Sequence, residues 1–144
     1  MFKKIVWATD GSESADRALE LARALAVRDS ATLLAVHSVE YLAGPRSTGA
    51  FPANADEDER VIKINKQVEE LAAAGVGASV KIVQGGVAGP AHTLAVVAQE
   101  EGADLIVVGT RGQTLLKGLL LGSVTQRLLH IAPCPVLAVP GHHA

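Results

Sequence analysis

A doubly wound α/β domain is the fold class predicted by three features of the sequence. Short aliphatic runs alternate with longer amphipathic stretches along the chain, the pattern that builds a parallel sheet with helices on both faces. Hydrophobic residues make up 49% of the chain but aromatic ones only 3%, so the core must be assembled from Val, Leu, Ile and Ala. Such packing suits a sheet covered on both sides. The 144 residues fit a single domain spanning 1–144, a size that buries roughly two thirds of the surface exposed by the unfolded chain.

The first strand is residues 5–8, where Ile5, Val6, Trp7 and Ala8 run into the turn residues Thr9, Asp10 and Gly11. Ser12 or Ser14 caps the helix that follows, and its Ala15, Ala18, Leu19, Ala22 and Leu25 recur on one face. Residues 32–39 form the second strand, apolar apart from His37 and Ser38. Residues 41–57 carry Gly44, Pro45, Gly49 and Pro52 and read as a flexible loop, with the acidic residues 56–59 as a solvated helix start. Val61, Ile64, Val68 and Leu71 mark an amphipathic helix stopped by Gly75, and residues 78–83 form the third strand. Pro90 opens the next helix and Gly102 ends it, with Leu94, Val97 and Ala98 as its apolar face. Residues 104–108 are the fourth strand. A last helix runs from about Gly122 and Ser123 to His130, before Pro133, and the fifth strand, residues 135–139, runs from Pro135 to Val139. Strand and helix alternation demands right-handed crossovers, which place ligands at the carboxyl ends of the strands where the strand order reverses.

Composition narrows the partners. A formal net charge of −2 gives no electrostatic footprint for nucleic acid or an anionic membrane. The lone Cys134 sits between two prolines and reads as a small hydrophobe. With no CxxC pair or Cys/His ligand set, it suits a reducing compartment, and the cytoplasm is the expected location. Neither a signal peptide nor a membrane span is expected, because only a short apolar run separates Lys4 from Asp10. The five histidines are scattered, so a metal site is not expected among them. Trp7 reads as core with its indole N–H satisfied.

The stretch richest in chemistry is Gly109-Thr110-Arg111-Gly112, directly after the fourth strand, followed by nine residues and then Gly122-Ser123 at a helix start. Glycines let backbone N–H groups approach phosphate oxygens, and a helix N-terminus adds unpaired donors and a favourable dipole. Ser123 and Thr125 add hydroxyls. Taken alone, the glycines would only make turns and Ser123 would only cap its helix. Asp10 closes the first strand opposite this loop; its carboxylate can bind ribose hydroxyls, hold a hydrated Mg²⁺ through water, or close an Asx-turn. Thr9 can serve either a ligand or the turn, and the end of the second strand at His37 and Ser38 offers backbone groups to a base edge. Arg111 either binds phosphate or projects into solvent.

These residues resemble the universal stress protein family. The opening Ile5-Val6-Trp7-Ala8-Thr9-Asp10-Gly11-Ser12 is similar to the family's start, as is Leu33-Leu34-Ala35-Val36-His37. The segment from Asp104 to Gly112, with Leu121-Gly122-Ser123-Val124-Thr125, looks like the family's ATP-binding signature Gly-x2-Gly-x9-Gly-Ser/Thr. Pro133-Cys134-Pro135-Val136-Leu137 fits its ending. The likeness covers nearly the whole chain except the loop from Tyr41 to Asp56. It implies a Rossmann-like sheet of order 3-2-1-4-5, of the adenine nucleotide alpha hydrolase type, with ATP in the crevice and a homodimer whose last strands pair antiparallel. By position, Asp10 would contact ribose and the Ser38 backbone the adenine, with Ala8 and Thr9 completing the base side. Gly109, Gly112, Gly122 and Ser123 would surround the phosphates, with Val124 and Thr125 beside them and Val108, Thr110 and Arg111 in the same signature. Ser38 departs from the apolar residue commoner there, which bears on base preference.

The function this implies is an ATP-binding regulatory or stress-response module. A slow ATPase or phosphoryl-transfer enzyme is the alternative, but no clear base stands out for that chemistry. A nucleotide-free interaction dimer is a third reading, which the glycine signature disfavours. A P-loop would need Gly-Lys-Ser/Thr and a Rossmann dinucleotide site Gly-x-Gly-x-x-Gly after the first strand, and neither occurs. A phospho-accepting receiver needs acidic residues after the third strand, which here ends in Gln84-Gly85-Gly86. The scarcity of aromatics disfavours flavin.

Overall fold

The computed structural model describes residues 1–43, 50–52, 55–111 and 121–141. Five strands, β1 (Lys4–Ala8), β2 (Thr32–Val39), β5 (Ala78–Gln84), β6 (Leu105–Gly109) and β7 (Val136–Val139), form one parallel sheet in the order β5-β2-β1-β6-β7. Numbered among themselves, these strands give the expected 3-2-1-4-5 order. Four helices connect them: α1 (Glu13–Asp29), α2 (Glu57–Ala73), α3 (Pro90–Glu101) and α4 (Ser123–Ile131).

Strand alternation divides the core into two layers. On one face Ile5, Trp7, Leu33, Ala35, Leu105 and Val107 meet α1 and α2. On the other Val6, Ala8, Leu34, Val36, Ile106 and Val108 meet α3 and α4. The buried face of α1 is Ala15, Ala18, Ala22 and Ala26, small side chains that let the helix lie close to the sheet. Trp7, fully buried, fills the remaining space, and its indole N–H donates to the Ala15 carbonyl at 2.9 Å.

Several element boundaries differ from the sequence reading by a residue, and one pair of strands was not expected. The segment read as a loop contains a short antiparallel hairpin, β3 (Tyr41–Ala43) with β4 (Ala50–Pro52); three-residue strands are too short for alternation to show. Asp104 precedes β6 and accepts the Lys3 and Lys4 N–H groups instead. Pro135 precedes β7, although its carbonyl accepts from the Ile106 N–H. Ser12, not Ser14, caps α1, accepting from the Ala15 N–H at 3.2 Å.

At the opposite edge from the strands' carboxyl ends, charge pairs close the sheet. Glu101 bridges Lys4 at 2.8 Å and Lys81 at 3.1 Å. Hydrogen bonds from Lys4 and then Lys81 hold its carboxyl below the usual carboxylate range. The Asp29 side chain, only 7% exposed, accepts from the Arg28 guanidinium and the Phe2 N–H. The Arg28 hydrogen bond and then the Phe2 N–H hold its carboxyl well below its ordinary value. A carboxyl depressed in the folded state adds stability above its unfolded pKa of about 3.9, and that contribution is lost as pH falls through the folded value. Asp29→Asn is therefore expected to lower the urea midpoint at about pH 7, with the gap from the unsubstituted protein narrowing below about pH 3.9. A gap independent of pH would show that the charge of Asp29 contributes nothing.

Candidate functional site

The sheet's order places its switch point between β1 and β6, because the chain leaves β1 toward β2 on one side and β6 toward β7 on the other. A cavity of about 280 Å³ opens there, at the carboxyl ends of the strands. Of the residues expected at the site, it brings together Ala8, Thr9, Asp10, Ser38, Val108, Gly109, Arg111, Gly122, Ser123, Val124 and Thr125. Thr110 is not on its wall; its backbone instead joins β7 and α4, donating to the Val139 carbonyl and accepting from the Gly122 N–H. Gly112 lies outside the described residues. Ala15, Glu40, Pro90 and Leu94 are lining residues that the sequence did not single out for the site.

Gly122, with φ −67° and ψ 158°, is the N-cap of α4 and, as a glycine, has no side chain with which to cap it. Ser123 is thus its first helical residue rather than its cap. The N–H groups of Ser123, Val124 and Thr125 are the ones an α-helix leaves without intrahelical acceptors, and all three residues line the cavity. The buried Thr125 hydroxyl donates to the Gly109 carbonyl at 2.7 Å, tying α4 to the end of β6. Gly109 has a packing reason to be glycine as well: a Cβ there would collide with Ser14 in the first turn of α1. The Arg111 N–H faces the Ser14 hydroxyl at 3.4 Å, so the chain beyond β6 stays against α1.

Asp10 accepts the Ser12 N–H at 3.0 Å, the Asx-turn geometry, while it lines the cavity. Gly11 turns at φ +81°, where glycine is favoured, with the Arg60 side chain 3.3 Å from where a Cβ would stand. Lys63 of α2 donates to the Gly11 carbonyl at 2.9 Å and pairs with Asp16 at 2.8 Å.

Beneath this loop lies a buried polar chain that the sequence reading missed. His37, 2% exposed, places Nδ1 2.9 Å from the Thr9 carbonyl and Nε2 2.5 Å from the Glu57 carboxylate. A carbonyl only accepts, so Nδ1 is the nitrogen that donates to Thr9, while Nε2 faces the Glu57 carboxyl. Glu57 is buried, not part of a solvated helix start as expected; only its neighbours Asp56, Asp58 and Glu59 face water. The available signal was His37 itself, an imidazole inside an otherwise apolar strand, which must find partners when buried.

The class so defined is an open α/β protein with a crevice at the switch point of its sheet and a glycine-led helix N-terminus on the crevice wall. The chain matches the profile of the universal stress protein family over residues 1–140 and belongs to that family. A universal stress protein of Thermus aquaticus is 39% identical over 143 residues, covering 96% of this chain and 99% of that one. The solved structure of MJ0577, a universal stress protein of Methanocaldococcus jannaschii, superposes with a TM-score of 0.74 at 29% identity and covers 100% of this chain and 99% of its own. A universal stress protein solved in complex with cAMP gives a TM-score of 0.70 at 26% identity, with 98% of each chain covered.

Glu57→Ala would leave His37 buried with one nitrogen unpartnered, and breaking such a pair costs about 3 kcal/mol. Glu59→Ala, at an exposed position in the same first turn of α2, should change stability by less than about 0.5 kcal/mol. Urea denaturation of both variants checks this; equal effects would mean that the buried pair does not hold the loop.

Proposed function

We propose that the crevice binds an adenine nucleotide, ATP foremost, and that the protein is a nucleotide-dependent regulatory module of the stress response. The observation that carries this reading is the N-terminus of α4, begun by Gly122, lining a cavity that also takes in the ends of β1, β2 and β6 and residues of α1 and α3. Neighbouring strands lie about 4.8 Å apart, so β2 to β6 spans about 10 Å, the length scale of a nucleoside. The strand order then matches the order of a nucleotide's parts. Ser38 with Ala8 and Thr9 stands at the base end, Asp10 near the ribose, and Gly109, Arg111, Gly122 and Ser123 around the phosphates. Val108, Val124 and Thr125 complete the wall, and Gly112 joins the phosphate side by resemblance to the family signature. The cAMP complex of a structural relative supports an adenine ligand.

Helix donors and glycine N–H groups bind phosphate without a metal cage. Among the described residues no three His, Cys, Asp or Glu groups come together to hold an ion. A magnesium ion accompanying ATP would therefore keep most of its waters, with Asp10 reaching it through one of them. Since Gly122 has negative φ, its backbone tolerates a side chain, so Gly122→Leu should keep the fold by circular dichroism. The same change should weaken ATP binding at least about tenfold in calorimetry, a loss of about 1.4 kcal/mol. Unchanged affinity would sink the phosphate cradle.

The same reading includes a homodimer through the last strand, residues 135–139. The carbonyls of Pro135 and Val139 bond toward β6; by alternation the backbone groups of Val136 and Ala138 point to the free edge. Two such edges pairing antiparallel would close a twofold dimer. Ala138→Pro removes an outward donor without touching the β6 ladder, whereas Leu137→Pro would damage the sheet itself. Light scattering should show a dimer for the unsubstituted chain and a monomer for Ala138→Pro that still binds ATP. A monomeric unsubstituted protein at about micromolar concentration would rule the dimer out.

A further inference from the structure

Within the nucleotide reading above, we infer that the Glu40 carboxylate, steadied by Ser38, recognises the exocyclic amino group of adenine and sets the base preference of the crevice. Glu40 lines the cavity at the end of β2, away from the helix N-terminus. Its carboxylate is held from two sides. The Ser38 hydroxyl donates to Glu40 Oε1 at 3.2 Å. Gly85, at the end of β5, leaves the space the carboxylate occupies, since a Cβ there would stand 2.5 Å from Oε1. The Gly85 N–H in turn donates to the Val39 carbonyl at 2.8 Å, which locks the ends of the two strands together under the side chain. Among the described residues no lysine or arginine pairs with Glu40, so its charge is not neutralised by a salt bridge there.

An ionised carboxylate only accepts hydrogen bonds, so a group seated against it must donate. Pro90 and Leu94 supply apolar surface to the same cavity, suited to the face of a ring. The base that fits is one with an amino group at its outer edge. Adenine presents that amine on its six-membered ring, whereas the unsubstituted purine presents only C–H and ring acceptors there. Ser38, the residue that departs from the apolar side chain commoner in the family, acquires a role through this contact: its hydroxyl orients the carboxylate.

Calorimetry with ATP and with purine riboside 5′-triphosphate, which has the same sugar and phosphates but no amine, tests the contact directly. A hydrogen bond to a charged acceptor should favour ATP by about tenfold or more in the unsubstituted protein. Glu40→Ala should bring the two ligands to parity by weakening ATP alone, and Ser38→Ala should reduce the preference in the same direction by less. Near-equal binding of the two ligands by the unsubstituted protein would overturn the inference. So would a Glu40→Ala variant that weakens both alike or neither, or tighter binding of GTP than of ATP. In each of those outcomes the nucleotide site itself survives. Failure of the unsubstituted protein to bind any of these triphosphates would overturn the nucleotide reading, and the inference with it.

Discussion

The hydrogen bond between the His37 ring and the Thr9 carbonyl fixes the place where the chain leaves the first strand, and the crevice is built around that place. Thr9 precedes Asp10, whose carboxylate closes the turn into α1, and α1 supplies the Ser14 surface against which β6 ends. Glu57 completes the arrangement from the first turn of α2. Carboxylates near a helix N-terminus are favoured by its dipole, so Glu57 is stabilised from both directions. A buried imidazole with both nitrogens engaged costs little, whereas one with a missing partner is expensive. The loop that shapes one wall of the crevice is therefore tied to a helix distant in sequence.

α2 holds the same loop at three points: Glu57 through His37, the Arg60 side chain against Gly11, and Lys63 on the Gly11 carbonyl. The opposite wall is made differently. Gly109, Thr110, Gly122 and Thr125 link β6 to α4 through backbone groups and one hydroxyl.

Much of the fold was legible because its physical basis is local. Short continuous aliphatic runs bounded by turn residues marked all five strands of the main sheet to within a residue or so, and Pro90 with Gly102 marked α3 at both ends. The short hairpin was missed because three residues carry no periodicity. Most of the candidate wall was legible too, since a glycine-rich stretch after a strand has a defined chemistry. Thr110 was the exception: a strand's alternation turns neighbouring backbone groups to opposite sides, and those of Thr110 serve β7 and α4. Glu40 escaped notice because one carboxylate after a strand resembles any solvated residue until Ser38 and Gly85 are seen around it.

By itself the sequence determined the order of the main-sheet strands and the helices along the chain, the aliphatic character of both core layers, the position of the glycine stretch after β6 and the family. These follow from composition, periodicity and the run of residues along the chain. Only the tertiary structure decided which polar residues face one another. His37 and Glu57 are separated by the whole hairpin segment, Gly109 and Ser14 by most of the chain, and Glu40 meets Gly85 across two strands. Whether a carboxylate is solvated or buried, and whether a glycine turns the chain or makes room for a neighbour, depends on contacts between distant segments. Local propensity carries no trace of such contacts, because the neighbours that decide them arrive only when the sheet closes.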